Sequence, residues 1–289
     1  MRHFYYAGIT MFAFLMMLAI VFVFFPHQQV LHRVFQEILG KEMDASFVNV
    51  RKGLGKASAA SIVVGHRELQ GQPLFELKNV SLFWNPLSIF KGSGDIYVRG
   101  EAYGGIFKLA LKGFPLFAHE KADLTMVFEG IDLGKYPTDR LPWFKGLEGR
   151  LNGTLTADAF LLAREQRKGS FALTVSNGAI KNVLVKNVQG LNVHFDNLTV
   201  HGKSYGDTVT LDKVTIHGQE LSINGTGRIE RGLESGVLSL RLPYESLSEN
   251  SPLPGKGILT ISGPVWSPAI DIFHGTETQQ KQEPSTAEK

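Results

Sequence analysis

Few residues in this chain are spaced for chemistry, and each such group falls short in a definable way. His201-Gly202-Lys203-Ser204 ends like a phosphate-binding loop, where backbone N–H groups cradle phosphate and a lysine reaches it. The first glycine of that motif belongs five residues before Gly202, where Asn197 stands, and strand-like runs flank the fragment. Gly53-Leu54-Gly55 lacks the third glycine and the βαβ setting of a dinucleotide site. His194, His201 and His217 lie in strand-like sequence. No His-x-His or His-x-x-x-His pair sets two ligands on one face, so they are expected as polar-face histidines and no metal site is expected. A Ser-His-Asp set assembles from distant positions and stays open at this point, but no Gly-x-Ser-x-Gly elbow presents a serine. Cysteine is absent, which removes disulfides, thiolate metal sites and a thiolate nucleophile together. Asn79, Asn152, Asn197 and Asn224 open glycosylation sequons, which matter only in a eukaryotic secretory pathway. The expectation is a protein that is not an enzyme and takes no cofactor. A net charge of +3 without a run of Lys and Arg also argues against a nucleic-acid partner.

The elements that would position any site divide the 289 residues into four segments. Residues 1–26 read as a transmembrane anchor. No charge appears from Phe4 to Pro26, and Phe12, Phe14, Leu15, Leu18, Ile20 and Phe22 typify the run. About 20 apolar residues span a bilayer core as a helix, which satisfies its own backbone hydrogen bonds. Tyr5 and Tyr6 suit the membrane–water interface. A cleaved signal peptide is the rival reading, with a shorter apolar core and a small-x-small cleavage site that Phe24-Phe25-Pro26-His27-Gln28 does not supply. Arg2 precedes the span and Arg33 and Lys41 follow at a distance, which favours a cytoplasmic N-terminus and an exported domain. Residues 27–44 read as an amphipathic stalk helix, with Leu31, Val34, Phe35, Ile38 and Leu39 at helical spacing before Gly40.

Residues 45–273 read as a β-rich domain. Leu124, Met126 and Phe128 alternate with polar or small neighbours, as do Phe171, Leu173 and Val175, then Leu191, Val193 and Phe195, then Leu238, Leu240 and Leu242. Residues two apart on a strand share a face, so each run buries one face and wets the other, the habit of antiparallel sheets. Turns are expected at Ser176-Asn177-Gly178, Tyr205-Gly206-Asp207 and Asn224-Gly225, with a hairpin over Tyr103-Gly104-Gly105. Short turns are expected at 132–136 and 86–90, while 157–166 suits helix or strand equally. A composition change near Leu141-Pro142-Trp143 divides two halves or marks one loop in a continuous sheet, and the continuous sheet is favoured. Residues 274–289, with Ala287 as the only apolar side chain, read as a disordered tail.

One stretch carries a family resemblance. Val80-Ser81-Leu82-Phe83-Trp84-Asn85-Pro86-Leu87-Ser88-Ile89-Phe90-Lys91-Gly92 joins a strand to a Pro-Leu-Ser turn and then to the Gly104-Gly105 hairpin. It resembles the N protein of bacterial type II secretion systems (general secretion pathway protein N) in its longer, membrane-anchored form. Gly146-Leu147-Glu148-Gly149-Arg150-Leu151-Asn152-Gly153 and Gly257-Ile258-Leu259-Thr260-Ile261-Ser262-Gly263-Pro264 are similar to the glycine-spaced strands of the wider AsmA-like envelope proteins. The resemblance covers about residues 70–272. It implies an elongated or curved antiparallel sheet and an inner-membrane, periplasm-facing accessory of a Gram-negative secretion machine, with other secretion components as partners. No catalytic residue carries over. The AsmA-like side implies an alternative in which a curved sheet forms an apolar trough that binds or transfers lipid. By their own chemistry, Pro86 ends the preceding strand, Trp84 and Phe83 offer one ring to each face, and Gly104 and Gly105 permit a tight turn.

Overall fold

Alternating apolar and polar side chains make strands along the whole length described. The computed structural model describes residues 43–53, 56–66, 73–84, 93–115, 122–136, 145–158, 167–185, 188–230, 236–249, 251–253, 255–265 and 267–274. They form β1 (Met43–Val48), β2 (Arg51–Gly53), β3 (Lys56–His66), β4 (Pro73–Trp84), β5 (Ser93–Ala102), β6 (Gly105–Pro115), β7 (Asp123–Asp132), β8 (Gly146–Asp158), β9 (Lys168–Val185), β10 (Val188–Tyr205), β11 (Thr208–His217), β12 (Leu221–Glu230), β13 (Val237–Ser246), β14 (Lys256–Pro264) and β15 (Ala269–His274). The one helical element among them is a 3-10 turn, Leu133–Lys135, whose cap Asp132 accepts a hydrogen bond from the Gly134 amide. It falls where the sequence predicts a short turn.

All these strands form one antiparallel sheet. From β3 to β15 each strand pairs with the next in chain order, while β1 and β2 lie along successive parts of the free side of β3. The expected all-β, antiparallel domain is therefore what the chain forms. β7 pairs with β8 from Leu124↔Ala157 to Asp132↔Arg150, so the sheet runs unbroken past the composition change near residue 142. The strands begin at Met43 and end at His274, close to the expected 45–273. Among the described residues no helix is long and apolar enough to cross a membrane. The expected anchor, nearly all of the stalk and all but the first residue of the tail lie outside the described residues, as does the 86–90 turn.

One face of the sheet is apolar and buried, and the other carries Lys, Glu, Thr and Ser. The buried face holds two clusters. The first runs through β3–β7 and includes Ile62, Val64, Leu77, Val98 and Leu111; the second runs through β9–β15 and includes Val193, Phe195, Leu221, Ile223 and Leu259. Leu133 and Leu151 pack against both, so the two clusters adjoin at β7–β8. Each fully buried Leu or Ile contributes roughly 1.5–3 kcal/mol through water released from its surface. β15 also approaches β9, six places away in the sheet order, so the second half curls round on itself. Bulges assist the bending. The register slips between Phe128 and Ile131, where Gly130 has φ +65°, and between Glu148 and Arg150, where Gly149 has φ +124°.

Two expected turns are corrected. Ser176-Asn177-Gly178 lies inside the 18-residue β9, and Asn224-Gly225 inside β12. In both, glycine serves close approach rather than reversal. A Cβ on Gly178 would stand 2.4 Å from the Phe195 ring, and one on Gly225 would stand 2.3 Å from the Arg241 carbonyl oxygen. The other two turns form as expected. Tyr103 (φ +50°) and Gly104 (φ +82°) close β5–β6, the pair of positive φ values that suits the right-handed twist of a two-residue hairpin, and Gly206-Asp207 closes β10–β11.

Candidate functional site

The residues singled out from sequence fall into three places. Phe12, Phe14, Leu15, Leu18, Ile20 and Phe22, together with Pro86 and Gly92, lie outside the described residues. Trp84 ends β4 opposite Ile96, half-buried against the first cluster, while its neighbour Phe83 is exposed on the other face. The two rings thus take opposite faces. Gly104 lies in the β5–β6 turn and Gly105 opens β6 opposite Ala102, and this corner docks on β7. A Cβ on Gly105 would come within 2.5 Å of the Ile131 amide nitrogen, and the Asp132 amide donates to the Tyr103 carbonyl at 3.2 Å.

Gly149 sits at the β8 bulge with Val175 Cγ1 2.6 Å from any added Cβ. Gly153 faces Leu173, whose Cδ2 would lie at 2.6 Å. Gly263 (φ +107°) and Pro264 end β14 opposite Leu238 and Val237, and the Pro264 carbonyl accepts from the Ser267 amide in the turn to β15. These glycines and prolines shape the sheet; the structure brings none of them together around a reacting centre.

The histidines weighed as ligands, His194, His201 and His217, are exposed strand residues, and no group of metal-ligating side chains converges among the described residues. His201-Gly202-Lys203-Ser204 lies wholly within β10, and Gly202 faces the Phe171 ring rather than a phosphate. Among the described residues one titratable group is perturbed. Tyr244, 3% exposed on β13, has its phenol pushed above 10.0 by burial.

What sequence reasoning missed is a groove on the outer face of β4–β7. The register sets Phe83, Tyr97, Ala110 and Thr125 in one row across these four strands. The next row holds Arg99, Lys108 and Val127. Small Ala110 and Thr125 leave a hollow of about 420 Å³ between the aromatic pair and the second row. Lys56 Nζ stands 5.2 Å over the Phe83 ring, a cation–π contact. Lys108 pairs with Glu129 at 2.6 Å. The lining residues span 83–127, and only the cross-strand register assembles them.

The two edges are a second candidate surface. Among the described residues β15 bonds only to β14, and β1 only to β3, so each has one side without a strand partner. Phe273 on β15 is 59% exposed. No family model, curated protein or solved structure matches this chain.

Proposed function

We propose that this chain is a non-catalytic docking component of the bacterial envelope: an inner-membrane-anchored, periplasm-facing accessory of a type II protein secretion system. The resemblance of residues 80–92, 146–153 and 257–264 supplies the setting. The observation that carries the docking mechanism is the open meander. Among the described residues β1 and β15 each have a strand on one side only, and an extended segment of a partner can add beside either as a further strand. Deleting the gene should reduce export of the secreted proteins and leave them in the periplasm; unchanged export ends this reading. Phe273→Lys tests the edge, since a charge on an exposed edge strand opposes strand addition while leaving the packed face intact. It should weaken assembly with the partner components without lowering the unfolding midpoint.

A second reading is favoured by one observation. The apolar face is continuous from β3 to β15 through Leu133 and Leu151, which is the surface an apolar trough for lipid requires. Native mass spectrometry after gentle detergent extraction checks it: retained lipid supports the trough, and a protein that never carries lipid counts heavily against it.

A further inference from the structure

We propose that the outer groove of β4–β7 binds a single-chain carboxylate of the fatty-acid class, its chain over Ala110 and Thr125 and its head group on Arg99. This site is on the face opposite the apolar trough of the second reading and does not rest on either proposed function.

Three observations converge. First, Phe83 and Tyr97 are direct cross-strand partners on the solvent face, yet each keeps more than two-fifths of its surface exposed (42% and 44%). Two large rings side by side on a wetted face form an apolar patch that a ligand chain would cover. Second, Arg99 stands directly opposite Lys108, a like-charge pairing that destabilises a sheet unless an anion offsets it. Glu129 serves Lys108, whereas no carboxylate among the described residues pairs with Arg99. The guanidinium therefore has its planar fork of donors available for a carboxylate. Third, the hollow of about 420 Å³ sits at the lower end of the roughly 300–1,000 Å³ of small-molecule sites. That size suits one chain rather than a two-chain glycerolipid, and its walls are mainly apolar with the cations along one side. An anionic head with an apolar body is the chemistry that satisfies all three.

The test uses the full chain in phosphatidylcholine nanodiscs, a diazirine-bearing palmitate, illumination and peptide mapping by mass spectrometry. Adducts are expected on peptides carrying residues 97–112 and should be competed by unlabelled palmitate. Arg99→Gln should lower labelling roughly tenfold, the scale of one charge-assisted hydrogen-bonded pair. Its exposed position leaves the fold intact, to be checked by circular dichroism. Ala110→Trp, which fills the hollow, should abolish labelling, and diazirine-bearing hexadecanol should label roughly tenfold less than palmitate for the same reason as Arg99→Gln. Adducts confined to other peptides overturn the proposal, as does equal labelling by the alcohol or of Arg99→Gln. Replacing Tyr97 with p-benzoylphenylalanine and illuminating the producing cells gives an independent reading. A lipid-sized adduct supports the site, and capture of a polypeptide overturns it in favour of a protein-docking face.

Discussion

Strands β3–β7 and β8–β15 fill the same buried face with different side chains. In the first group the face is set with mid-sized aliphatics and alanine. Ile62 pairs with Leu77, Ala59 with Val80, Val98 with Leu109, and Ile62, Val64, Leu77 and Leu111 are all but inaccessible. In the second group glycines more often stand between large residues. Leu155, Phe171, Gly202, Leu211, Gly227, Leu240, Ile261 and Ile270 are successive partners across eight strands. Gly178 faces Phe195 and Gly257 faces Tyr244 in the same manner. Where a sheet curls, its inner face has less room than its outer one, and a large side chain folded over a facing glycine fills it without crowding. The first half is thus organised so that removing atoms does harm, and the second so that adding atoms does.

The largest effect should come from truncation in the first half. Leu77→Ala removes a side chain that is 1% exposed and should cost roughly 2–5 kcal/mol, measured by equilibrium urea unfolding of the full chain. Leu240→Ala in the second half removes a partly exposed side chain and should cost less than about half of that. Equal losses would erase the contrast between the halves.

Next in size is addition in the second half. Gly178→Ala places a methyl 2.4 Å from the Phe195 ring and 2.6 Å from the Glu148 carbonyl oxygen, a clash worth roughly 1–3 kcal/mol. Phe195→Leu in the same chain should return part of the loss, a coupling that a double-mutant cycle reads directly. Independent, additive costs would show that Gly178 serves some purpose other than making room for the ring.

Gly130 sharpens the point because it is a glycine of the other kind. It has φ +65° with nothing within 4 Å of an added Cβ, and its amide donates to Asn152 Oδ1 at 2.8 Å. Gly130→Ala should cost roughly 1–2 kcal/mol through backbone conformation alone. Gly130→Asn should cost less than Gly130→Ala, since Asn visits the left-handed region more readily, whereas Gly178→Asn should cost more than Gly178→Ala. Reversal of that order at either site would break the division into conformational and steric glycines.

That division also explains how far the sequence could be read. Alternation reports which face a residue takes, so the strands around Leu124, Leu191 and Leu238 and the antiparallel all-β class were legible. Tyr103-Gly104 and Gly206-Asp207 were legible as turns because each lies between two alternating runs. Gly178 and Gly225 carry the same local signal, an Asn-Gly pair, but their meaning depends on Phe195 and Leu242 in neighbouring strands. The outer groove was illegible for the same reason. Phe83, Tyr97 and Ala110 share a row only once the register of β4, β5 and β6 is fixed.

The most selective effect should come from Tyr244, at alkaline pH. Its ring lies over Gly257, where an added Cβ would stand 2.6 Å from the phenol oxygen. Burial raises its pKa above 10.0, so the folded chain holds this proton more tightly than the unfolded chain does. Its contribution is complete below pH about 10, where both states are protonated. As pH rises further the unfolded chain ionises first, and the contribution is lost until the folded pKa is passed. Tyr244→Phe should therefore flatten the fall of the urea midpoint above pH about 10. Because this phenol belongs to the large-over-glycine half, alkaline opening should begin there. Hydrogen exchange at high pH should show β13 and β14 losing protection before β3 and β4. Loss from β3 and β4 first would mean that the glycine-faced half is not the one that yields to ionisation.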